Sequence, residues 1–230
     1  MSGDPIRVGI VLREQDLTSW SGRLPDLAER AVEAGLDHLT VGDHVSFADG
    51  HGADGLIQAA ALLSAHPSIS IQTGVYLLAL RHPAIVARQL ATIAQLAPGR
   101  LTFGIGVGGD DPRELELCGI DPRLRGRSGV GWHHALQLWA GFGASRAGAR
   151  TRLSAAMEAA YSLPFERFER YAPCGPPAAI AEALMPYLAV GCRWFNFVPE
   201  GLALPAAIKA VSEVKTLLTK DEATSSSDLA

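Results

Sequence analysis

Asp43 and His44 stand side by side at the end of the short apolar run Leu39-Thr40-Val41-Gly42. An imidazole changes charge near neutral pH, so His44 can exchange a proton with a substrate or cofactor, and Asp43 can orient it or act beside it. The plain structural alternative is an acid that caps a helix and a histidine that satisfies a backbone carbonyl.

Three further motifs could carry chemistry. In Thr73-Gly74-Val75-Tyr76, a glycine inside a strand pattern marks either a bulge that a ligand can approach closely or a simple packing glycine. Gly104-Ile105-Gly106-Val107-Gly108-Gly109 bares backbone amides that could meet a phosphate or a flat ring. It is not a dinucleotide fingerprint, because no helix with an acid ending the next strand follows it. Arg81-His82-Pro83 reads first as a helix start, with proline in the first turn.

These motifs need elements to hold them. Ile6 to Leu12 and His38 to Gly42 read as strands, with a helix over Leu24–Ala34 between them, closed by Gly35. A helix over Leu56–Ala65, a third strand over Ser68–Leu78, a helix over Pro83–Leu96 and a fourth strand over Arg100–Val107 follow, with Val45 to Gly55 as a loop. This β-α-β alternation implies a parallel sheet with right-handed crossovers. Each motif then lies at the C-terminal end of a parallel strand, where α/β enzymes place their catalytic groups.

Past Gly108 the pattern is a short helix over Asp110–Cys118 and a polar stretch to Gly131. A strand follows over His133–Gly143, then helices over Ser145–Leu163 and Pro177–Val190, with the connector Pro164–Tyr171 between them. A strand over Arg193–Val198 and a closing helix over Leu204–Thr219 complete the pattern. That makes six strands, or seven if the polar stretch hides one. Residues 220–230 are expected to be a disordered tail.

The chain has 230 residues, 48% of them hydrophobic and 19% charged, with a net charge of -4. This suits one α/β domain with a full core. It gives no basic excess for nucleic acid and no apolar run long enough for a bilayer. Cys118, Cys174 and Cys192 are odd in number and widely spaced, as expected of ordinary thiols in a reducing cytoplasm. The short polar start does not read as a secretory signal. No metal-ligand spacing is present: there is no CxxC and no HExxH, and His133 and His134 are adjacent, so on a strand they face opposite ways.

Three stretches carry a resemblance to a known family: VGDHVSF, then IQTGVYLLALRHPAIVARQLATIAQLAPGRLTFGIGVG, then ELCGIDPRLRGR. Together with the segment from LQLWAGFG to APCGPP and the RWFNFVP strand, they resemble the bacterial luciferase-like group of flavin- or F420-dependent oxidoreductases. The resemblance covers nearly the whole chain from Ile6 to about Thr219. It implies a TIM-type (β/α) barrel, a homodimer, a small organic substrate, and F420 or FMN as cofactor. By position, it implies that His44 and Asp43 face the redox ring. It also implies that Gly74 and Val75 form a bulge under the ring, often with a non-proline cis peptide, and that Gly106, Gly108 and Gly109 form the rim beside it. The chain departs from the family between Arg125-Gly126-Arg127 and Trp132, where a helix, a strand or two and an insertion are missing. An internal deletion near 125–132 and an incomplete barrel of six or seven strands within a single domain, 1–219, are therefore expected. A non-catalytic flavin-binding protein derived from the family is the alternative.

Overall fold

The computed structural model describes residues 5–20, 22–47, 51–108, 111–120, 135–189 and 192–227. In chain order, the N-terminal elements are β1 (Arg7–Leu12), α1 (Glu14–Ser19), α2 (Leu24–Glu33), β2 (His38–Val41), β3 (His44–Phe47), β4 (His51–Ala53) and α3 (Gly55–Ala65). There follow β5 (Ile71–Thr73), β6 (Tyr76–Leu77), α4 (Pro83–Leu96), β7 (Leu101–Thr102), β8 (Ile105–Gly106) and α5 (Pro112–Leu117). The C-terminal elements are β9 (Ala135–Phe142), α6 (Arg146–Tyr161), β10 (Cys174–Gly175), α7 (Pro177–Ala189), β11 (Trp194–Glu200) and α8 (Leu204–Ser227). Short 3-10 turns occupy Leu78–Leu80, Phe165–Arg167 and Glu169–Tyr171.

The chain divides into two compact units. One is built from residues 11–32 and 38–133. In it β2, β5 and β7 pair in parallel, with Leu39 opposite Ile71 and Ile71 opposite Leu101. Every residue of β2 is buried, as a strand covered on both faces should be. Helix α2 turns Leu27, Ala28 and Ala31 inward, and α3 buries Leu56, Ala59, Leu62 and Leu63. Arg100 closes the far end of α3 by donating to the carbonyls of Leu63 and His66, two of those the helix end leaves open, and it reaches on to Ile69 O in the connection to β5.

The other unit is built from residues 1–10, 33–37 and 134–230. Strand β11 lies between β1 and β9, parallel to both, and β10 pairs with the end of β9 at Gly141 and Phe142. Its core gathers Ala149, Leu153, Met157, Phe165, Ala172 and Cys174, with Trp139 and Tyr161 packed against it. Asp37 holds this unit's edge: it accepts from Val8 N and pairs with Lys215 of α8.

The described residues thus contain an α/β fold with seven main parallel strands: the six expected and β10, which does not come from the polar stretch where a seventh was considered. The sequence-based outline changes in four places. The third and fourth strands are each split in two. The loop expected over Val45–Gly55 carries the β3–β4 hairpin, antiparallel with His44 opposite Ala53. Two elements, α1 and β10, were not expected. The closing helix runs to Ser227, so residues 220–227 are helical where a disordered tail was expected. The proposed deletion near 125–132 lies outside the described residues. No helix among those described is long and apolar enough to cross a membrane. The three cysteines are free thiols.

Candidate functional site

All the described candidate residues lie in the unit of residues 11–32 and 38–133. Strands β2 and β5 end together, with Val41 opposite Thr73. Gly74 N then donates to Val41 O at 2.9 Å, and the Gly74–Val75 peptide is cis. The chain resumes as β6, which pairs with β8, Tyr76 opposite Ile105 and Leu77 opposite Gly106. The third strand therefore breaks at the bulge, leaves β2, and continues along the fourth strand with its register shifted by one residue, Ile71 opposite Leu101 before the break and Tyr76 opposite Ile105 after it.

Glycines make this break possible. A Cβ on Gly104 would stand 2.1 Å from Thr73 O, and one on Gly106 would stand 2.1 Å from Val75 Cγ2. Gly104 O accepts from Thr73 Oγ1 and from Tyr76 N, both at 2.8 Å, which clamps the bulge from the fourth-strand side. Gly108 takes φ +69°, a backbone conformation that suits glycine. Gly106 and Gly108 thus serve the bulge first, by making room for Val75 and by turning the chain. Gly109 lies outside the described residues.

Asp43 sits just past β2 with its carboxylate fully buried. Its oxygens accept from Gly55 N (2.9 Å), Leu77 N (2.8 Å), Arg81 Nη1 (2.7 Å) and Arg81 Nη2 (2.8 Å). Burial pushes the carboxyl above its ordinary value, against the downward pull of the two amides and of the guanidinium. Asp43 therefore joins the end of β2 to the start of α3 and to β6.

His44 begins the hairpin and is half-exposed. Its Nδ1 lies 3.2 Å from Glu114 Oε2. Glu114, whose side chain is only 3% exposed, comes from α5, and its other oxygen accepts from Val45 N (2.6 Å) and Ser46 N (3.2 Å). A carboxylate against Nδ1 favours the tautomer with hydrogen on that nitrogen and makes Nε2 the proton-accepting one. The expectation that Asp43 orients His44 is corrected here: the residue set against the ring is Glu114. Sequence reasoning missed it because Asp111-Pro112-Arg113-Glu114 reads as a helix start. Asp111 does cap α5, accepting from Arg113 N, but the acid at the third helical position turns to the hairpin instead of back to the cap.

Tyr76 is wholly buried beneath the bulge, and Arg81 stacks on its ring at 4.4 Å. Burial pushes its phenol up to about 12. Around these groups Val45, Val75 and Val107 are each 40–45% exposed, an apolar surface at the strand ends. No cluster of three or more metal-ligating side chains forms among the described residues.

The family model for luciferase-like monooxygenases matches residues 12–141, more than half of the chain and all of the site just described. The chain belongs to the luciferase-like monooxygenase family. One relative within it is an F420-dependent glucose-6-phosphate dehydrogenase of Kineococcus radiotolerans, 33% identical over 110 residues, which are 46% of this chain and 32% of that protein. Another is a 4-hydroxyprotoasukamycin monooxygenase of Streptomyces nodosus subsp. asukaensis, 33% identical over 97 residues, 42% of this chain and 26% of that one. The match thus spans about a third or less of these luciferase-like relatives. Among solved structures, a monooxygenase from Streptomyces bottropensis superposes with a TM-score of 0.70 at 16% identity, over 94% of this chain and 100% of that one. An F420-dependent secondary alcohol dehydrogenase superposes with a TM-score of 0.65 at 14% identity, over 94% and 99%. At these identities the superpositions establish the luciferase-like fold.

Proposed function

We propose that this chain is a flavin- or F420-dependent oxidoreductase of the luciferase-like type, acting on a small organic substrate. The observation that carries the reading is the His44–Glu114 pair, set at the same strand ends as the Gly74–Val75 bulge. The residues fit a flat tricyclic ring. Val75 offers an exposed apolar face, and glycines at 104 and 106 keep the backbone beneath it close-packed. F420 and FMN both suit such a bed, and relatives named for F420 support the first. When bound, F420, a deazaflavin, would supply hydride transfer, and FMN would supply hydride or oxygen chemistry. Gly74, Val75, Gly106 and Gly108 would support the ring. His44 would give or take a proton at Nε2, and Glu114 would hold its tautomer and balance its charge.

Titration of the purified protein with F420 and with FMN, followed by ring fluorescence, tests the reading. Saturable binding of one of them is expected, and binding of neither up to high micromolar concentration overturns it. His44→Ala separates the enzyme from a passive flavin binder, because only an enzyme loses turnover while keeping the ring.

A homodimer through α3 and α4 belongs to the same reading. These packed helices carry one charged residue between them, Arg88, and expose Ile57, Ile85 and Leu96. Helix α2, by contrast, carries Asp26, Glu29, Arg30 and Glu33. A cytoplasmic location, inferred from the free thiols, completes the proposal.

A further inference from the structure

Arg81 stands outside the proton-handling pair, yet both its terminal nitrogens are engaged beside the bulge and its guanidinium stacks on Tyr76. We propose that Arg81 is a positioning residue for the ring bed: through its parallel pairing with Asp43 it sets where the Gly74–Val75 bulge stands relative to His44. The inference rests on the reading that a ring lies over that bulge.

The geometry is a closed loop of contacts. Leu77, two residues past the bulge, donates its N–H to Asp43 Oδ2 (2.8 Å) and gives its C=O to Arg81 Nη1 (3.3 Å). Arg81 returns to Asp43 with both terminal nitrogens, at 2.7 and 2.8 Å. Both backbone groups of Leu77 therefore end on one ion pair. Asp43 is covalently next to His44, so the position of the bulge is referred to the imidazole through two residues. Arg81 Nη2 also reaches Asp54 Oδ2 (3.3 Å), the residue that caps α3 by accepting from Leu56 N and Ile57 N. The Tyr76 ring beneath the guanidinium fixes the plane of the fork.

The fork shape matters here, and charge alone is not enough. A lysine is a point charge that can reach one oxygen of Asp43, but it cannot make the parallel pair or stack in the same plane. The sequence hides this role: Arg81-His82-Pro83 is a sufficient helix start without the arginine, since His82 Nδ1 caps α4 and Pro83 fills its first position.

The test uses Arg81→Lys, which keeps the charge, and the double variant Asp43→Asn/Arg81→Met, which leaves no unpaired buried charge should the first fail to fold. Amide hydrogen exchange of the protein alone reads the clamp. In either variant the Leu77 and Gly55 amides are expected to exchange about tenfold faster or more, the equivalent of losing one charge-assisted hydrogen bond. The strand amides of Leu39 and Ile71 should not change. Titration with FMN and with F420 then reads the bed: the dissociation constant of the cofactor that binds wild type rises about tenfold by the same conversion. The visible circular dichroism of the bound ring changes with its seating. Unchanged Leu77 exchange overturns the clamp. Faster exchange with unaltered affinity and dichroism overturns the positioning role. If wild type binds neither cofactor, the functional reading fails, and Leu77 exchange alone decides whether Arg81 holds the bulge.

Discussion

Glu114 decides which nitrogen of His44 can take a proton. Glu114→Gln tests this cleanly. The amide oxygen can still accept from Val45 N and Ser46 N, but the nitrogen now faces Nδ1 and demands an acceptor there. The favoured tautomer should invert, moving the hydrogen to Nε2. The 15N shifts of the His44 ring report this directly, and turnover is expected to fall on the order of 100- to 10,000-fold, the range for losing a positioned base or its tautomer. An unchanged tautomer would remove Glu114 from the mechanism. Tyr76 makes a second prediction. Its hydroxyl is buried without a hydrogen-bond partner among the described residues. In the folded chain the phenol is pushed from 10.0 up to about 12. Between those two values the unfolded chain has lost a proton that the folded chain keeps, so stability must fall as pH rises through that window. Tyr76→Phe loses no hydrogen bond, should be at least as stable near neutrality, and should flatten the alkaline slope seen in denaturant midpoints.

Strands that break are harder to read than strands that run. The helix over Pro83–Leu96 is legible to the residue, because proline opens it and Ala97-Pro98-Gly99 ends it, and β2 shows plainly as a buried apolar run. The third and fourth strands read as continuous, yet each divides, because the third leaves β2 after Thr73 and the register between the two slips by one residue across the bulge. The glycines signalled this close approach without saying what approaches. Gly104 receives Thr73 O, Gly106 receives Val75, and neither fact lies in local sequence. Glu114 is missed for the same reason: residues 44 and 114 meet only once the fold is formed. A pair of substitutions separates the two kinds of glycine. Gly104→Ala drives a Cβ into backbone, so it should cost about 3 kcal/mol as an overpacked site and loosen the bulge. Gly99→Ala meets nothing within 4 Å and strains only a φ of +71°, so about 1 kcal/mol is expected. Denaturant unfolding of the two variants checks the contrast, and equal losses would contradict the assigned close contact.

Every described site residue falls in one of the two compact units, the one that the family match covers almost entirely. That unit also carries the α3–α4 face, where chemistry and assembly can be pulled apart. Ile57, 69% exposed on α3, and Ile85, 61% exposed on α4, stand on helices whose exposed positions include six alanines and a single charge, Arg88. Small side chains let two helix pairs approach closely, and an isologous contact would bury the same face on both copies. A stable contact needs about 800 Å² from each partner, so it must draw on both helices and not on one isoleucine alone. A single charge at its centre should then be enough to split it, because that charge would be buried twice across the twofold axis without a partner. Ile57→Asp and Ile85→Asp are each expected to shift the protein from dimer to monomer in light scattering behind size exclusion. Neither side chain touches Asp43, His44, Glu114 or the bulge through any contact described above, so cofactor titration of the monomeric variants shows whether one copy suffices to hold the ring. A wild-type protein that elutes as a monomer would leave the exposed isoleucines to another partner and end the dimer proposal.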